Sequence, residues 1–368
     1  MSYKRIVVKL GTNLLTAGSN HLNLEIMTSL VGQIAIIYGD GVEVVIVSSG
    51  AITAGRHSLG LKESRDIPLR QVLAAVGQSH LMDAYEQLFR WHEITIAQAL
   101  LTRTDLSSRV GYLNVRNTLS SLLKLRIIPI VNENDVTAVD EIKEAVFGDN
   151  DNLSAMVANL IDADLLMLLT DTAGLYTSDP SRDPDAKLIP CVDRIDVSIE
   201  RLAVGSSNQR GTGGMTTKIE AAKMATASGV KVTIADGRLT NVIVRLAAGE
   251  SLGTCFPQLT SKMESRKRWM LSQLSEGKLS ADSGAVTAVR KQNKSLLPAG
   301  VTEVGGKFER GAVVNILDSM GEKVACGITN YGSKDITAIK GEKSEKIAEL
   351  LGYEYGAEVV HRDNMVVL

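Results

Sequence analysis

Residues 5–13 read Arg5-Ile6-Val7-Val8-Lys9-Leu10-Gly11-Thr12-Asn13, an apolar run of β type that closes on a glycine turn. A short, nearly continuous apolar run ending in a turn is the mark of a strand buried on both faces, and such strands belong to parallel sheets covered by helices. The pattern recurs down the chain, at Val42–Ser48, Ile94–Ala97, Ile127–Val131, Leu165–Thr170 and Val230–Ala235. Longer helical stretches separate these runs. One is 24–38, where Ile26, Leu30, Ile34 and Ile37 recur at helical spacing, and another is the proline-free stretch 70–90. The alternation predicts an α/β fold, an open and mostly parallel sheet sandwiched by helices.

In open α/β sheets ligands bind beyond the carboxyl ends of the strands, and the polar motifs of this chain fall at those ends. Lys9, Gly11 and Thr12 follow the first run, Ser48-Ser49-Gly50-Ala51 the second, Asn132-Glu133-Asn134-Asp135 the fourth, and Thr170-Asp171 the fifth. Turns with a purely structural role have no reason to gather polar residues at one end of a sheet.

A second glycine turn, GTGGMTTK at 211–218, runs directly into a helical stretch. Glycines let backbone N–H groups approach an anion, a helix N-terminus adds partial positive charge, and Lys218 adds a full one. The string is neither of the better-known phosphate loops. Met215, Thr216 and Thr217 separate Gly214 from Lys218 where a Walker A loop needs Gly-Lys-Ser/Thr, and Thr216 stands where a dinucleotide fingerprint needs its third glycine. Thr212, Gly213 and Gly214 complete the candidate cradle. Two lysines on two glycine turns suit a polyphosphate held from both sides. Taken singly, the turn could be a loop before a helix and Lys9 a solvated strand-end lysine.

The string GDNDNLSA puts Asp149, Asn150, Asp151 and Asn152 before a helical pattern at 153–161. Asn152 as a plain helix cap is the bland reading. A calcium loop fails, because Leu153, Ser154 and Leu160 occupy positions that need an oxygen ligand, a glycine and a glutamate. The functional reading gives one carboxylate the task of orienting the lysines. In SSGAITAG, Ser49, Gly50 and Ala51 could offer backbone N–H groups to a carboxylate, or Ser49 could simply cap a helix. Asp135 could meet a substrate ammonium. None of the five histidines, His21, His57, His80, His92 and His361, shows ligand spacing or pairs with these motifs. Absence of a histidine base suits a carboxylate acceptor, which with a pKa of ~4.3 is already an anion at neutral pH.

Composition is that of an ordinary soluble protein, 44% hydrophobic and 22% charged with a net charge of -2, and supplies no global attraction for nucleic acid or an acidic membrane. Cys191, Cys255 and Cys326 lie far apart with no zinc or disulfide spacing, so no metal site is assigned and a reducing cytoplasm is expected. No apolar run approaches a membrane span. A length of 368 residues suggests two domains. The α/β pattern breaks near the basic run Arg266-Lys267-Arg268, which sets a first domain at 1–258, a linker at 259–276 and a β-rich domain at 277–368, with VVNIL, VACGIT and ITAIK as its strands.

Assembled, these strings resemble the amino acid kinase family, and within it the glutamate 5-kinase branch. VVKLGT, VSSGAI, VLAAVGQ, VNENDV, GDNDNLSA, LLTDTAGLYTSDP and GTGGMTTK occur in the family's order, and KSLLPAGV, GKFERG and LGYEYG resemble the small barrel-like PUA domain that many members carry. The resemblance implies the amino acid kinase fold and transfer of the ATP γ-phosphoryl group to the side-chain carboxylate of L-glutamate, with Mg²⁺. It gives Lys9 and Lys218 the phosphoryl group, Asp151 the lysines, and Ser49, Gly50, Ala51, Asp135 and Asn150 the glutamate. Lys9, Gly11, Thr170, Asp171 and Thr212, Gly213, Gly214, Met215, Thr216, Thr217 and Lys218 match the ATP site. It further implies a homo-oligomer, dimer or tetramer, hand-off of product to glutamate-5-semialdehyde dehydrogenase, and feedback inhibition by proline. The segment between Asp135 and Asp149 is longer than the family pattern, which leaves that inhibition open. Two alternatives are a kinase for carbamate, acetylglutamate or aspartate, and an RNA-binding regulator. Balanced basic and acidic side chains over 277–368 speak against the second.

Overall fold

The computed structural model describes residues 2–64, 66–138, 150–205, 214–262 and 275–368. They form two compact units, Met1–Ser107 with Val115–Ser261, and Ser108–Asn114 with Lys262–Leu368.

The first unit is built on seven strands, β1 (Arg5–Leu10), β2 (Glu43–Ser48), β3 (Ile96–Leu101), β4 (Ile128–Glu133), β5 (Leu165–Thr170), β6 (Lys231–Asp236) and β7 (Thr254–Phe256). They lie in the order β3-β4-β2-β1-β5-β6-β7. All pairings are parallel except β6 with β7. The six apolar runs read from sequence are thus the six parallel strands. The third starts later than expected and continues through Gln98 to Leu101, because an edge strand tolerates a polar residue that a central one does not. β7 is an additional antiparallel edge of three residues.

Helices α1 (Leu24–Gly39), α2 (Ala51–Ser58), α3 (Ile67–Arg90), α4 (Asn150–Leu160) and α5 (Met215–Ala227) accompany this sheet. The side-chain alternation of β1 divides the faces. Ile6, Val8 and Leu10 enter a core with Met27, Leu30, Ile34 and Ile37 of α1 and Leu81, Tyr85 and Phe89 of α3. Each such buried side chain contributes about 1.5–3 kcal/mol of hydrophobic stabilisation. Lys9 therefore points to the opposite face. β1 lies centrally, its chain continuing to β2 on one side while β5 lies on the other, so the order of the sheet switches beside it. Crevices at such switch points are where these folds take ligands.

Two bland readings fall away. α4 begins at Asn150, so Asn150 and Asp151 lie in its first turn and Asn152 does not cap it. Gly50, at φ +104°, precedes α2 without any side-chain cap, so Ser49 is not a cap either. Freedom from that task leaves Ser49 for other partners.

The second unit carries a five-stranded sheet ordered β12 (Val360–Val367), β11 (Lys323–Thr329), β10 (Val313–Leu317), β8 (Gly277–Ala281), β9 (Val301–Gly305), antiparallel except for β10 with β8. Helices α6 (Ser283–Gln292) and α7 (Ser333–Ile339) belong to it. VVNIL and VACGIT are strands, whereas ITAIK is not. Its isoleucines, Ile336 and Ile339, are one helical turn apart and both buried, and the Asp335 carboxylate accepts from the N–H of Gly332 at the helix start. Helical spacing and a cap override β-branched propensity here. Among the described residues no helix is long and apolar enough to cross a membrane.

Candidate active site

Three elements that are far apart in sequence deliver one charge cluster. Lys9 leaves the carboxyl half of β1 on the face opposite the aliphatic core, Asp151 stands in the first turn of α4, and Lys218 in the first turn of α5. Asp151 is 0% exposed, Lys9 2% and Lys218 5%. One carboxylate serves both ammonium groups, with Oδ1 2.5 Å from Lys9 Nζ and Oδ2 3.0 Å from Lys218 Nζ. The Thr217 hydroxyl lies 2.9 Å from the same Oδ2 and 2.9 Å from the Gly214 carbonyl, tying the start of α5 to Asp151. Burying three charges costs several kcal/mol per ion before their attraction offsets it. A pair of buried cations on a single anion carries net positive charge into a site with two helix N-termini, and such a site favours a polyanion.

Beside this cluster the turn after β2 meets α4. The Ser49 N–H donates to the Leu10 carbonyl at 3.1 Å, which holds the turn against the end of β1. Asn150 Nδ2 reaches the Ser48 carbonyl at 2.8 Å, Asn132 Oδ1 at 2.8 Å and Ser49 Oγ at 3.0 Å. Since a carbonyl only accepts, this fixes the amide of Asn150, and its Oδ1 is the group left to accept. Asn150 is thus joined to Ser49 on one side and is the neighbour of Asp151 on the other. Gly50 and Ala51 follow Ser49 at the start of α2. Asp135 lies in the turn after β4, at the wall of a cavity of about 330 Å³ shared with Glu133, Asn134 and Gln78.

On the other side of β1, Thr170 and Asp171 end β5. Gly11 donates to the Leu169 carbonyl at 3.3 Å, so the first glycine turn and the end of β5 are in contact. The Thr170 hydroxyl donates to Asp171 Oδ1 at 3.1 Å, and Asn13 Nδ2 to Asp171 Oδ2 at 3.4 Å. Arg238, just past β6, donates to the Asp171 carbonyl at 2.7 Å while its guanidinium is held by Asp236. Burial opposes ionisation of Asp236, but the hydrogen bonds from Arg238 win and hold its carboxyl below the usual range. Gly214, Met215, Thr216, Thr217 and Lys218 lie at the start of α5, whereas Thr212 and Gly213 fall outside the described residues.

Sequence reasoning passed over Gln78, Asn132 and Arg238. Asn132 sat inside the NENDV string and Gln78 inside VLAAVGQ, so both were near the motifs. Their function as hydrogen-bond partners depends on which strand and helix meet, which spacing alone does not tell.

Comparison with known proteins places these residues in context. The model of the amino acid kinase family matches residues 4–236. The PUA domain model matches residues 277–351. The chain is 56% identical to the glutamate 5-kinase of Dehalococcoides mccartyi over 368 residues, covering 100% of this chain and 99% of that one. It is 50% identical to the glutamate 5-kinase of Haemophilus influenzae over 370 aligned residues, covering 100% of both. The UMP kinase from Bacillus anthracis superposes with a TM-score of 0.47 at 16% identity, over 71% of this chain and 98% of that one.

Proposed function

The chain belongs to the amino acid kinase family, and from that premise we propose that it transfers the γ-phosphoryl group of ATP to the side-chain carboxylate of L-glutamate, giving L-glutamyl 5-phosphate and ADP. A carboxylate oxygen of glutamate attacks the γ-phosphorus while the bond to the β,γ-bridging oxygen breaks, and the electron pair leaves on ADP. No proton moves at the acceptor, so the reaction needs no base. Phosphoryl transfer asks of a protein mainly positioning and charge stabilisation. The observation that carries the reading is the pair of buried lysines, from β1 and α5, meeting on one carboxylate.

On this reading Lys9 and Lys218 flank the migrating phosphoryl group and neutralise charge as it spreads over its equatorial oxygens. Asp151 holds both ammonium groups at the required spacing before substrate arrives. The start of α5 cradles the phosphates, with Thr212, Gly213 and Gly214 assigned to the same site from their sequence, and Thr170 and Asp171 hold the nucleotide. Mg²⁺ carried by the ATP phosphates would neutralise part of their charge and would ask for few protein ligands. Ser49, Gly50, Ala51, Asp135 and Asn150 hold glutamate.

The enzyme works in the cytoplasm as a homo-oligomer, opens proline biosynthesis and delivers its labile acyl phosphate to glutamate-5-semialdehyde dehydrogenase. Its kinase domain is 1–258, its linker 259–276 and its PUA-like domain 277–368. The lengthened segment before Asp149, most of which, 139–149, lies outside the described residues, leaves feedback by proline open.

The test is an ATP-dependent hydroxamate assay with glutamate and hydroxylamine on the wild type and Lys218→Ala. The variant is expected to lose at least about a hundredfold in rate, the scale of removing one preorganised charge-stabilising group. A loss no larger than that of a surface lysine variant removes Lys218 from the chemistry. Activity on carbamate or N-acetylglutamate but not on glutamate removes the substrate assignment.

A further inference from the structure

Helix α3 approaches the turn after β2 with no side chain between them, since a Cβ on Gly77 would fall 1.7 Å from the Ala51 carbonyl oxygen. The next residue, Gln78, is buried, and its Oε1 accepts from Asn132 Nδ2 at 2.8 Å. The backbone fixes this amide assignment. Asn132 Oδ1 accepts from the N–H of Glu133 at 2.9 Å and from Asn150 Nδ2 at 2.8 Å. Asn132 must therefore turn its nitrogen to Gln78, and Gln78 its oxygen to Asn132. Gln78 Nε2 is left buried without a hydrogen-bond partner. Orphan donors of this kind are few in native proteins, and each calls for a reason.

The surroundings suggest one. Gln78 lines the cavity of about 330 Å³ together with Ser79, Gln98, Glu133, Asn134 and Asp135. At ~30 Å³ for a water-sized group, that volume holds on the order of ten non-hydrogen atoms. Gln78, whose buried Nε2 makes no hydrogen bond, lines it together with the acidic residues Glu133 and Asp135. A ligand that suits both carries an ammonium and a carboxylate close together, as the head of an α-amino acid does. Through Asn132 and Asn150 the same amide is joined to the neighbour of Asp151, so the cavity connects with the phosphoryl site by hydrogen bonds.

We propose that Gln78 binds the acceptor amino acid, its Nε2 donating to the α-carboxylate of a substrate whose ammonium faces Asp135. This inference rests on the glutamate reading above and adds a residue to it. Gln78→Met keeps the volume and removes the amide. Gln78→Glu keeps the acceptor that Asn132 needs and replaces only the donor, so it decides the matter if the methionine variant fails to fold. Steady-state hydroxamate kinetics should show the KM for glutamate raised about tenfold to a hundredfold in either variant, the range for a hydrogen bond to a charged group. The KM for ATP should stay within about twofold of the wild type, a split that general loosening of the fold would not give. An unchanged KM for glutamate, or equal rises in both constants, overturns the inference while the active wild type upholds the reaction. A wild type that forms no hydroxamate overturns both.

Discussion

Replacement of Asp151 by asparagine removes one negative charge from between two buried ammonium groups while keeping shape and one acceptor for Thr217. Lys9 and Lys218 are 2% and 5% exposed, so neither reaches water without moving. Breaking a buried ion pair by removing one partner costs about 3–5 kcal/mol, chiefly the penalty of the charge left behind. At ~2–4 °C per kcal/mol for a domain of this size, Tm should fall by about 6–20 °C. A polyphosphate should restore what the carboxylate supplied. Pyrophosphate or ADP should then raise the Tm of Asp151→Asn by more than that of the wild type, because binding to the folded state alone stabilises it and the variant has more unbalanced charge to neutralise. Calorimetry with and without pyrophosphate measures both. A variant Tm within about 2 °C of the wild type, or a pyrophosphate shift no larger than the wild type's, refutes the claim that charge pairing with Asp151 holds the lysines.

Other expectations concern packing and pH. Gly77→Ala would put a methyl into the Ala51 carbonyl, so we expect about 1–3 kcal/mol or more of destabilisation from overpacking and a raised KM for glutamate. Gly32→Ala, in the middle of α1 with open space around its Cβ position, should instead stabilise by about 0.5–1 kcal/mol; urea unfolding of the two variants compares them, and equal effects would contradict the packing seen at Gly77. In the second unit, burial pushes the Tyr331 phenol up from 10.0 to about 12, against a lowering hydrogen bond from the Tyr355 N–H. A raised folded-state pKa means its stabilisation is complete below pH 10 and is lost as pH climbs to about 12, by up to ~1.4 kcal/mol per pH unit. The stability difference between wild type and Tyr331→Phe should shrink across that window, and a constant difference would sink the idea.

The parallel sheet was legible because a strand covered on both faces must be apolar along nearly its whole length. Leu165–Thr170 is the clearest case, with its ends read correctly and every residue buried. β7 was not legible. Thr254-Cys255-Phe256 is too short to show a period, and pairing with β6 alone makes it a strand. Ile336 and Ile339 show the converse failure, where three β-branched residues in a row of five suggested a strand and the three-residue spacing of the isoleucines was the truer signal. Within the candidate site, Lys9, Asp151 and Lys218 stood out only jointly, because each string taken singly has a bland reading while together they follow one family's order. Gln78 and Asn132 did not, since an amide 54 positions from its partner looks like any polar residue until helix and strand are brought together.

The alternation of β1 also bears on how the chain reaches its native state. Sliding β1 by one position against β2 and β5 would turn Lys9 inward among Met27, Leu30 and Phe89, where an ammonium finds no counter-charge, and would swing Leu10 toward Asp151. A slipped strand is therefore penalised by the same side chain that serves the reaction. Mispaired molecules should unfold and try again instead of persisting as compact, inert protein.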